Sequence, residues 1–229
     1  MGNRAHSRKK KMQKNSHQLN IYKQSLELSA LQREIIIGVL LGDAHLETQN
    51  HGKTYRLKFA QSNTTAHKNY LFHLYDIFSD WTLTPPKHNL SNNTWYFNTL
   101  SHGSFRFYGH QFYQSKKVVP KLIHRWLTPR ALAYWYMDDG SLKSTMSKGV
   151  ILNTHSFELS DIKRLCEILE SKFLLKAWPR KQVHKDKVYY QIYISGHSYE
   201  KLRELIHPYL SQVPDMLYKF PNERKKTGI

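Results

Sequence analysis

The 229-residue chain has one cysteine, Cys166. That excludes an intramolecular disulfide framework and any zinc cluster built on cysteine. Long apolar runs are also missing. The longest, Ile35 to Leu41, falls far short of the roughly 20 residues that span a bilayer. The N-terminus lacks the apolar core of a secretory signal, so the expected class is soluble and intracellular, with no membrane partner. Acid is scarce: 17 Asp and Glu stand against 35 Lys and Arg, a formal charge of +18. What is abundant is core material, 40% hydrophobic and 13% aromatic, which rules out global disorder. The length fits one large domain or two small ones. A basic chain of this kind calls for a polyanionic partner, nucleic acid first.

The scarcity of acid is local. No Asp or Glu occurs between Trp81 and Met137, while Lys87, Arg106, Lys116, Lys117, Lys121, Arg125 and Arg130 all lie there. Residues 1–20 are also acid-free and carry Arg4, Arg8, Lys9, Lys10, Lys11 and Lys14. Like-charge blocks tend to stay unstructured, so the expectation is a disordered basic arm, with nuclear import or DNA clamping as the more specialised readings. Elsewhere the basic residues alternate with aromatics and amides, in Tyr55-Arg56-Leu57-Lys58-Phe59, in Trp95-Tyr96-Phe97-Asn98 and in Val188 to Tyr193. A period of two predicts strands with one face on a core and the other in solvent. An ordinary half-buried sheet shows the same alternation. The excess of Arg, Lys, Asn and Gln on the outward positions favours contact with phosphates and base edges.

Helical signals punctuate these strands. Ser29-Ala30-Leu31-Gln32 has the form of a capping box before Ile35, Ile36, Val39 and Leu40. Thr128-Pro129 supplies an N-cap and a first-turn proline before Leu132 to Met137. Helical spacing also marks Ala66 to Trp81, Ile162 to Phe173, and Leu202 to Tyr209. The order looks duplicated: an apolar helix ending in aspartate, an alternating strand, an amphipathic helix, more strands, then a Lys-bearing segment. From Asp43 to Gln61 is 18 residues and from Asp139 to His155 is 16; from Asp43 to Lys117 is 74 and from Asp139 to Lys219 is 80. The expected division is the arm at 1–20, a first αββαββα-like unit at 21–122 and a second at 123–229, an α+β fold.

The aspartates that close the two apolar helices face the negative end of a helix dipole, unfavourable by a few tenths to about 1 kcal/mol. For one helix alone, an Asp capping the following loop is explanation enough. At matching positions in a duplicated chain, a divalent cation is the better compensation, since Mg²⁺ takes one or two protein carboxylates together with substrate phosphate. Gly38 and Gly42 in the first helix, and Ala133 in the second, would let the backbones approach and make the carboxylates neighbours.

Ile36-Ile37-Gly38-Val39-Leu40-Leu41-Gly42-Asp43-Ala44 and Leu132-Ala133-Tyr134-Trp135-Tyr136-Met137-Asp138-Asp139-Gly140 resemble the two signature motifs of the LAGLIDADG homing endonucleases in their monomeric, two-motif form. The likeness runs from about Leu31 to Pro221. It is strongest to the I-SceI type, through Gly52 to Tyr55, Leu83 to Pro86, Leu152-Asn153-Thr154 and Tyr218-Lys219. The resemblance implies saddle-shaped antiparallel sheets and a central two-helix interface. It selects Asp43 and Asp139, at the eighth motif position, as ligands of Mg²⁺ or Mn²⁺, and leaves Asp138 to support the helix or its turn. It matches Lys117 and Lys219 to the family's basic residue, which stabilises developing charge or polarises water, with plain phosphate contact as the lesser alternative. Gln61 matches a polar residue that organises water. His155 stands at the corresponding place in the second half, so the two sites differ chemically.

The implied activity is hydrolysis of both strands of double-stranded DNA at a long asymmetric site, leaving short 3′ overhangs and promoting intron mobility. It would be performed by a monomer with no obligate protein partner. DNA contacts are expected from outward strand positions Arg56, Lys58 and Gln61, and from Lys148, Asn153, His155, Tyr189, Gln191 and Tyr193, with loop residues Lys87, Asn92, Asn93, Lys181 and Lys185 reaching further. The implied setting is an intron of a mitochondrion or chloroplast, and the want of a transit peptide suits synthesis inside the organelle. An intron RNA maturase, or a nucleic-acid-binding protein that does not cleave, is the alternative on the same scaffold.

Overall fold

The computed structural model describes residues 16–144, 146–185 and 187–220. In chain order the elements are α1 (Ser16–Gln24), α2 (Ala30–Leu41), β1 (His45–Glu47), β2 (Arg56–Ser62), α3 (Thr65–Ile77), β3 (Lys87–Asn89), β4 (Thr94–Asn98), α4 (Arg106–Phe112), α5 (Ile123–Trp126), α6 (Pro129–Asp139), β5 (Gly140–Leu142), β6 (Val150–Leu152), α7 (Leu159–Phe173), β7 (Ala177–His184), β8 (Lys187–Ile194) and α8 (Tyr199–Leu210), with short 3₁₀ turns between. They divide into two compact units. The first holds residues up to Arg33 together with Ala44–His110; the second holds Glu34–Asp43 and the chain from Gln111 onward. The motif segment Glu34–Asp43 thus groups with the later residues, and the later division falls at 110/111 rather than 122/123. Residues 1–15 of the expected arm lie outside the described residues. Residues 16–20 open helix α1, whose Tyr22 hydroxyl donates to the Asp80 carbonyl at 2.6 Å.

Each unit contains a four-stranded antiparallel sheet, ordered β1-β2-β4-β3 in the first and β5-β6-β8-β7 in the second. The same order, with one amphipathic helix between the second and third strands of each, is the repeat that the spacings imply. In the first sheet Leu57 and Phe59 alternate inward and pair with Leu46 and Phe97. In the second, Ile192 and Ile194 do so opposite Leu152 and Val150. The strand expected over Val150–His155 is regular only to Leu152, and the two residues after it keep bonds to the neighbouring segments. Asn153 N–H donates to the Asp139 carbonyl at 3.0 Å, and the Thr154 hydroxyl donates to the Tyr190 carbonyl at 2.9 Å.

The helix starts follow their sequence signals. Ser29 Oγ accepts from Gln32 N–H at 3.1 Å while Gln32 Oε1 accepts from Ser29 N–H at 3.0 Å, a reciprocal capping box. Thr128 caps α6 through Ala131 N–H at 3.2 Å, with Pro129 in the first turn. Helix α3 ends at Ile77 rather than at Trp81. Phe78 caps it, and a 3₁₀ turn over Ser79–Trp81 follows, pinned by Thr82 Oγ1 donating to Ser79 O at 2.9 Å.

Apolar on every side, α2 from Ile35 to Leu41 and α6 from Ala131 to Met137 form the centre of the second unit. A Cβ added at Gly38 would lie 2.3 Å from the Ala131 carbonyl oxygen and 2.9 Å from Tyr134 Cβ. One added at Gly42 would lie 2.4 Å from Asp138 Oδ2. Both glycines therefore permit the close approach anticipated for them. The residue opposite Gly38 is Ala131, however, not the Ala133 singled out by spacing. Gly38→Ala should lower unfolding stability by about 1–3 kcal/mol through overpacking, whereas Gly103→Ala, whose Cβ meets nothing within 4 Å, should change it by less than about 0.5 kcal/mol. Denaturant titration of the two variants measures the difference, and equal effects would contradict the close approach.

Candidate active site

The ends of α2 and α6 bring the chemistry together, all of it within the second unit. Asp43 is exposed, Asp139 half-buried and Asp138 buried. Asp138 Oδ2 accepts from the Asp43 backbone N–H at 3.2 Å, so the carboxylate of one motif caps the turn that carries the other motif's aspartate. Lys117 Nζ donates to the Gly42 carbonyl at 2.8 Å. Lys219 Nζ donates to the carbonyls of Met137 at 2.5 Å and Asp138 at 2.8 Å. Each lysine thus reaches the main chain immediately before a motif aspartate, where the last carbonyls of a helix need donors.

Short rigid segments hold the lysines. Val118 N–H donates to Phe112 O at 2.8 Å and Val119 N–H to the Asp161 carboxylate at 3.1 Å, flanking Lys117. Lys219 ends a 3₁₀ turn over Pro214–Lys219, and its carbonyl accepts from the Tyr136 hydroxyl at 2.7 Å. Phe220 beside it is buried and stacks on Tyr199 with ring centroids 4.5 Å apart. Gly140, just after Asp139, is required by the Tyr136 ring, which a Cβ would meet at 2.2 Å.

The electrostatics are those of a crowded acidic site. Burial first, and then the negative charge of Asp43, push the Asp139 carboxyl up to about 7, against the pull of Lys117 and Lys219. Asp138 is raised well above the carboxylate range by burial, followed by Asp43 and Asp139. Burial lowers Lys117 and Lys219, with the surrounding aspartates opposing it. Among the described residues no group of three or more His, Cys, Asp or Glu forms a closed metal cage. Two carboxylates, one exposed and one half-buried, are instead the kind of donor set that suits a hard divalent cation keeping water and phosphate oxygens as its other ligands. A cation there would also relieve the mutual repulsion of the aspartates, so Asp43 and Asp139 could hold one.

The remaining sequence candidates divide by position. Gln61 belongs to the first unit and is buried in phase with Leu57 and Phe59, not on the outward face with Arg56 and Lys58. Its Oε1 lies 2.8 Å from His67 Nδ1. Arg56 and Lys58 do face outward, and both reach Glu47, Arg56 at 2.5 Å and Lys58 at 3.7 Å. Lys87 is exposed on β3, a strand rather than a loop. Asn92 and Asn93 build the β3–β4 turn: Asn92 Oδ1 accepts from the Thr94 hydroxyl at 2.7 Å, while Asn93, at φ 52°, accepts from Asn63 at 3.0 Å.

In the second unit, Tyr189, Gln191 and Tyr193 share the outward face of β8, and Lys185 sits at the β7–β8 turn with φ 46°. Lys181 lies within β7 opposite Tyr190, on the phase of Ile192 rather than of Gln191. Lys148 is in the loop before β6, paired with Glu200 at 3.2 Å. His155 is exposed just beyond β6, its ring 5.4 Å from that of Tyr189. Asn153 turns toward Asp139 instead of pointing freely into solvent, with Nδ2 3.1 Å from the Asp139 carbonyl. The register adds Trp178, Arg180 and Gln182, which oppose Tyr193, Gln191 and Tyr189. Their period-two alternation is present in the sequence, but Pro179 within it disguises a strand.

Two units of one topology and two apolar helices, packed closely at Gly38 and each leading into an aspartate, define an α+β protein of the duplicated, two-motif kind. The chain belongs to the LAGLIDADG DNA endonuclease family, whose model matches residues 33–202. It is 33% identical to a probable intron-encoded endonuclease 1 of Wickerhamomyces canadensis, over 86% of this chain and 87% of that protein. It is also 33% identical to a cytochrome b mRNA maturase bI2 of Debaryomyces hansenii, over 82% of this chain and 73% of that one. Among solved structures, the homing endonuclease I-WcaI bound to its DNA recognition sequence superposes with a TM-score of 0.77 at 32% identity, covering 90% of this chain and 92% of that one. No described helix is long and apolar enough to cross a membrane.

The raised carboxyls fix a direction for pH. An unfolded chain releases these protons near pH 4, whereas folded Asp139 keeps its own to about 7. The folded state therefore binds more protons between those values, and stability contributed by this site falls as pH rises through that window. Asp139→Asn should flatten the decline in unfolding stability between pH 5 and 7.5, measured without divalent metal; an unchanged slope would contradict the assignment.

Proposed function

We propose that this chain is a site-specific endonuclease that cuts both strands of a long, asymmetric DNA duplex, using Mg²⁺ or Mn²⁺ and leaving short 3′ overhangs. The observation that carries the reading is the meeting of Asp43 and Asp139 at two packed helix ends, with a lysine fixed behind each. Membership of a DNA endonuclease family and the likeness to I-WcaI support it. Asp43 and Asp139 hold the metal. When bound, it polarises the scissile phosphate, lowers the pKa of a bound water and neutralises the leaving oxyanion.

The chain's own residues do the rest. Lys117 and Lys219 fix the two motif ends and keep positive charge beside the phosphates, where pre-set charge stabilises the transition state most. Asp138 holds the Asp43 turn. Gln61, oriented by His67, orders water. Phosphate and base contacts come from the outward sheet faces: Arg56, Lys58 and Lys87 in the first unit, and Arg180, Gln182, Tyr189, Gln191 and Tyr193 in the second, with Lys148, Lys181 and Lys185 reaching further along the backbone. A monomer suffices, and the natural setting is intron mobility in an organelle. A maturase reading is favoured by the bI2 relative, but filled metal-ligand positions serve cleavage and are superfluous for binding RNA.

Incubation with a randomised duplex library and Mg²⁺, with sequencing of cleaved ends, tests activity and defines the site. On a duplex so found, Asp43→Asn and Asp139→Asn should each abolish double-strand cleavage and leave affinity in EDTA within about threefold. Affinity should also fall steeply with salt, through counterion release. Full cutting by both variants, or tighter binding to intron RNA than to any duplex, would overturn the reading.

A further inference from the structure

The second sheet continues in register beyond its ladder. Gly140 pairs with Leu152, Leu152 with Ile192, and Gln191 with Arg180. One step along, the same register sets Asp139, Asn153, Gln191 and Arg180 in a row across the four strands. The hydrogen bonds follow that row. The Asp139 carbonyl accepts twice from Asn153, from its N–H at 3.0 Å and its Nδ2 at 3.1 Å. Asn153 Oδ1 accepts from Gln191 Nε2 at 2.6 Å, and that nitrogen lies 3.3 Å from His155 Nε2. Asn153 can do this because the continued register sets it between Asp139 and Gln191. Its amide thus joins Asp139 on one side to Gln191 on the other.

The equivalent row of the first sheet carries Ala60, Tyr96 and Lys87. Alanine has no side-chain amide, so the side-chain bridge formed by Asn153 has no counterpart at Ala60.

We propose that Asn153 and Gln191 are positioning residues that tie Asp139 to the outward face of the second sheet, so that a duplex seated on that face sets one of the two motif aspartates. The proposal rests on the endonuclease reading and adds a direction to it: the tie serves the strand cut at Asp139 and not the strand cut at Asp43. Residues that orient a metal ligand without touching the metal typically matter by about 10–100-fold in metal affinity or rate. Partners in one network show strongly non-additive effects.

The experiment uses the full chain, a cleavable duplex from the randomised library labelled on each strand in turn, and the variants Asn153→Ala, Gln191→Ala and their combination. Single-turnover rates are taken at saturating duplex, duplex affinity is taken in EDTA, and Mn²⁺ affinity is read from the paramagnetic resonance of the free ion. For Asn153→Ala the expected result is about a tenfold slower cut of one strand, with accumulation of a duplex nicked in the other. Mn²⁺ binding weakens and duplex affinity stays within about threefold. Gln191→Ala should slow the same strand about threefold, and the double variant should be no slower than Asn153→Ala.

Equal slowing of both strands, additive effects, or a loss of duplex affinity in Asn153→Ala matching its loss of rate would overturn the tie. Should Asn153→Ala melt too low to assay, Gln191→Ala decides alone, by whether its slowing is confined to one strand. Failure of the wild-type chain to cut any duplex is a different result and overturns the endonuclease reading itself.

Discussion

The distance between Gly38 and the Ala131 carbonyl sets everything else at the site. Two α-helices rarely pack closer than 8–10 Å between axes unless small residues line the contact, and here a methyl group at Gly38 would overlap the opposite main chain. That closeness makes the two helix C-termini neighbours. It gathers the negative ends of two dipoles and three carboxylates into one small volume, an arrangement that repels itself. The raised carboxyls of Asp138 and Asp139 register that repulsion together with burial. A contact that stabilises by packing therefore creates an electrostatic debt, one that only positive charge can offset.

Part of the offset comes from the protein itself. Lys117 and Lys219 arrive from separate segments, one after α4 and one after α8, yet each ends on the carbonyl of the residue preceding a motif aspartate. Chemistry or phosphate contact were the two roles open to them from sequence; helix termination is a third, and it explains why their ammonium groups are sequestered despite the cost that burial imposes. A bond to a backbone carbonyl leaves an ammonium group further donors. Fixing the main chain and facing a phosphate are therefore compatible duties.

Much of this was legible in the sequence because it depends on local rules. The reciprocal bonds of Ser29 and Gln32, the cap at Thr128-Pro129, the buried stripes of α7 and α8 and the shared strand order all follow from residue type and period. Less legible were features decided by register. Alternation gives a face only if its phase is known, and Gln61 takes the phase of Leu57 and Phe59 rather than that of Arg56. Pro179 hides a strand whose Arg180 and Gln182 complete the outward face. Asn153 is a candidate base reader by residue type alone, and only the register shows that its amide also bonds Asp139 and Gln191. In each case the missing information is a partner strand, which no single segment contains.

The large positive charge also reads differently once its partners are in place. Arg56 and Lys58 share Glu47, Lys116 faces Glu158 and Lys148 faces Glu200, all of them at least partly exposed. Exposed pairs of this kind contribute about 0–1 kcal/mol, too little to hold a cation against a phosphate backbone that rewards each neutralised charge. The few acids on these surfaces thus keep long side chains extended and ordered without withholding them from a polyanion. Stronger partners would have cost binding, and a surface without acids would have left the same side chains to be ordered at the moment of contact. Their number and weakness leave those side chains ordered yet available, while at the motif ends Asp138 and Asp139 sit where burial holds their carboxyls well above the usual range.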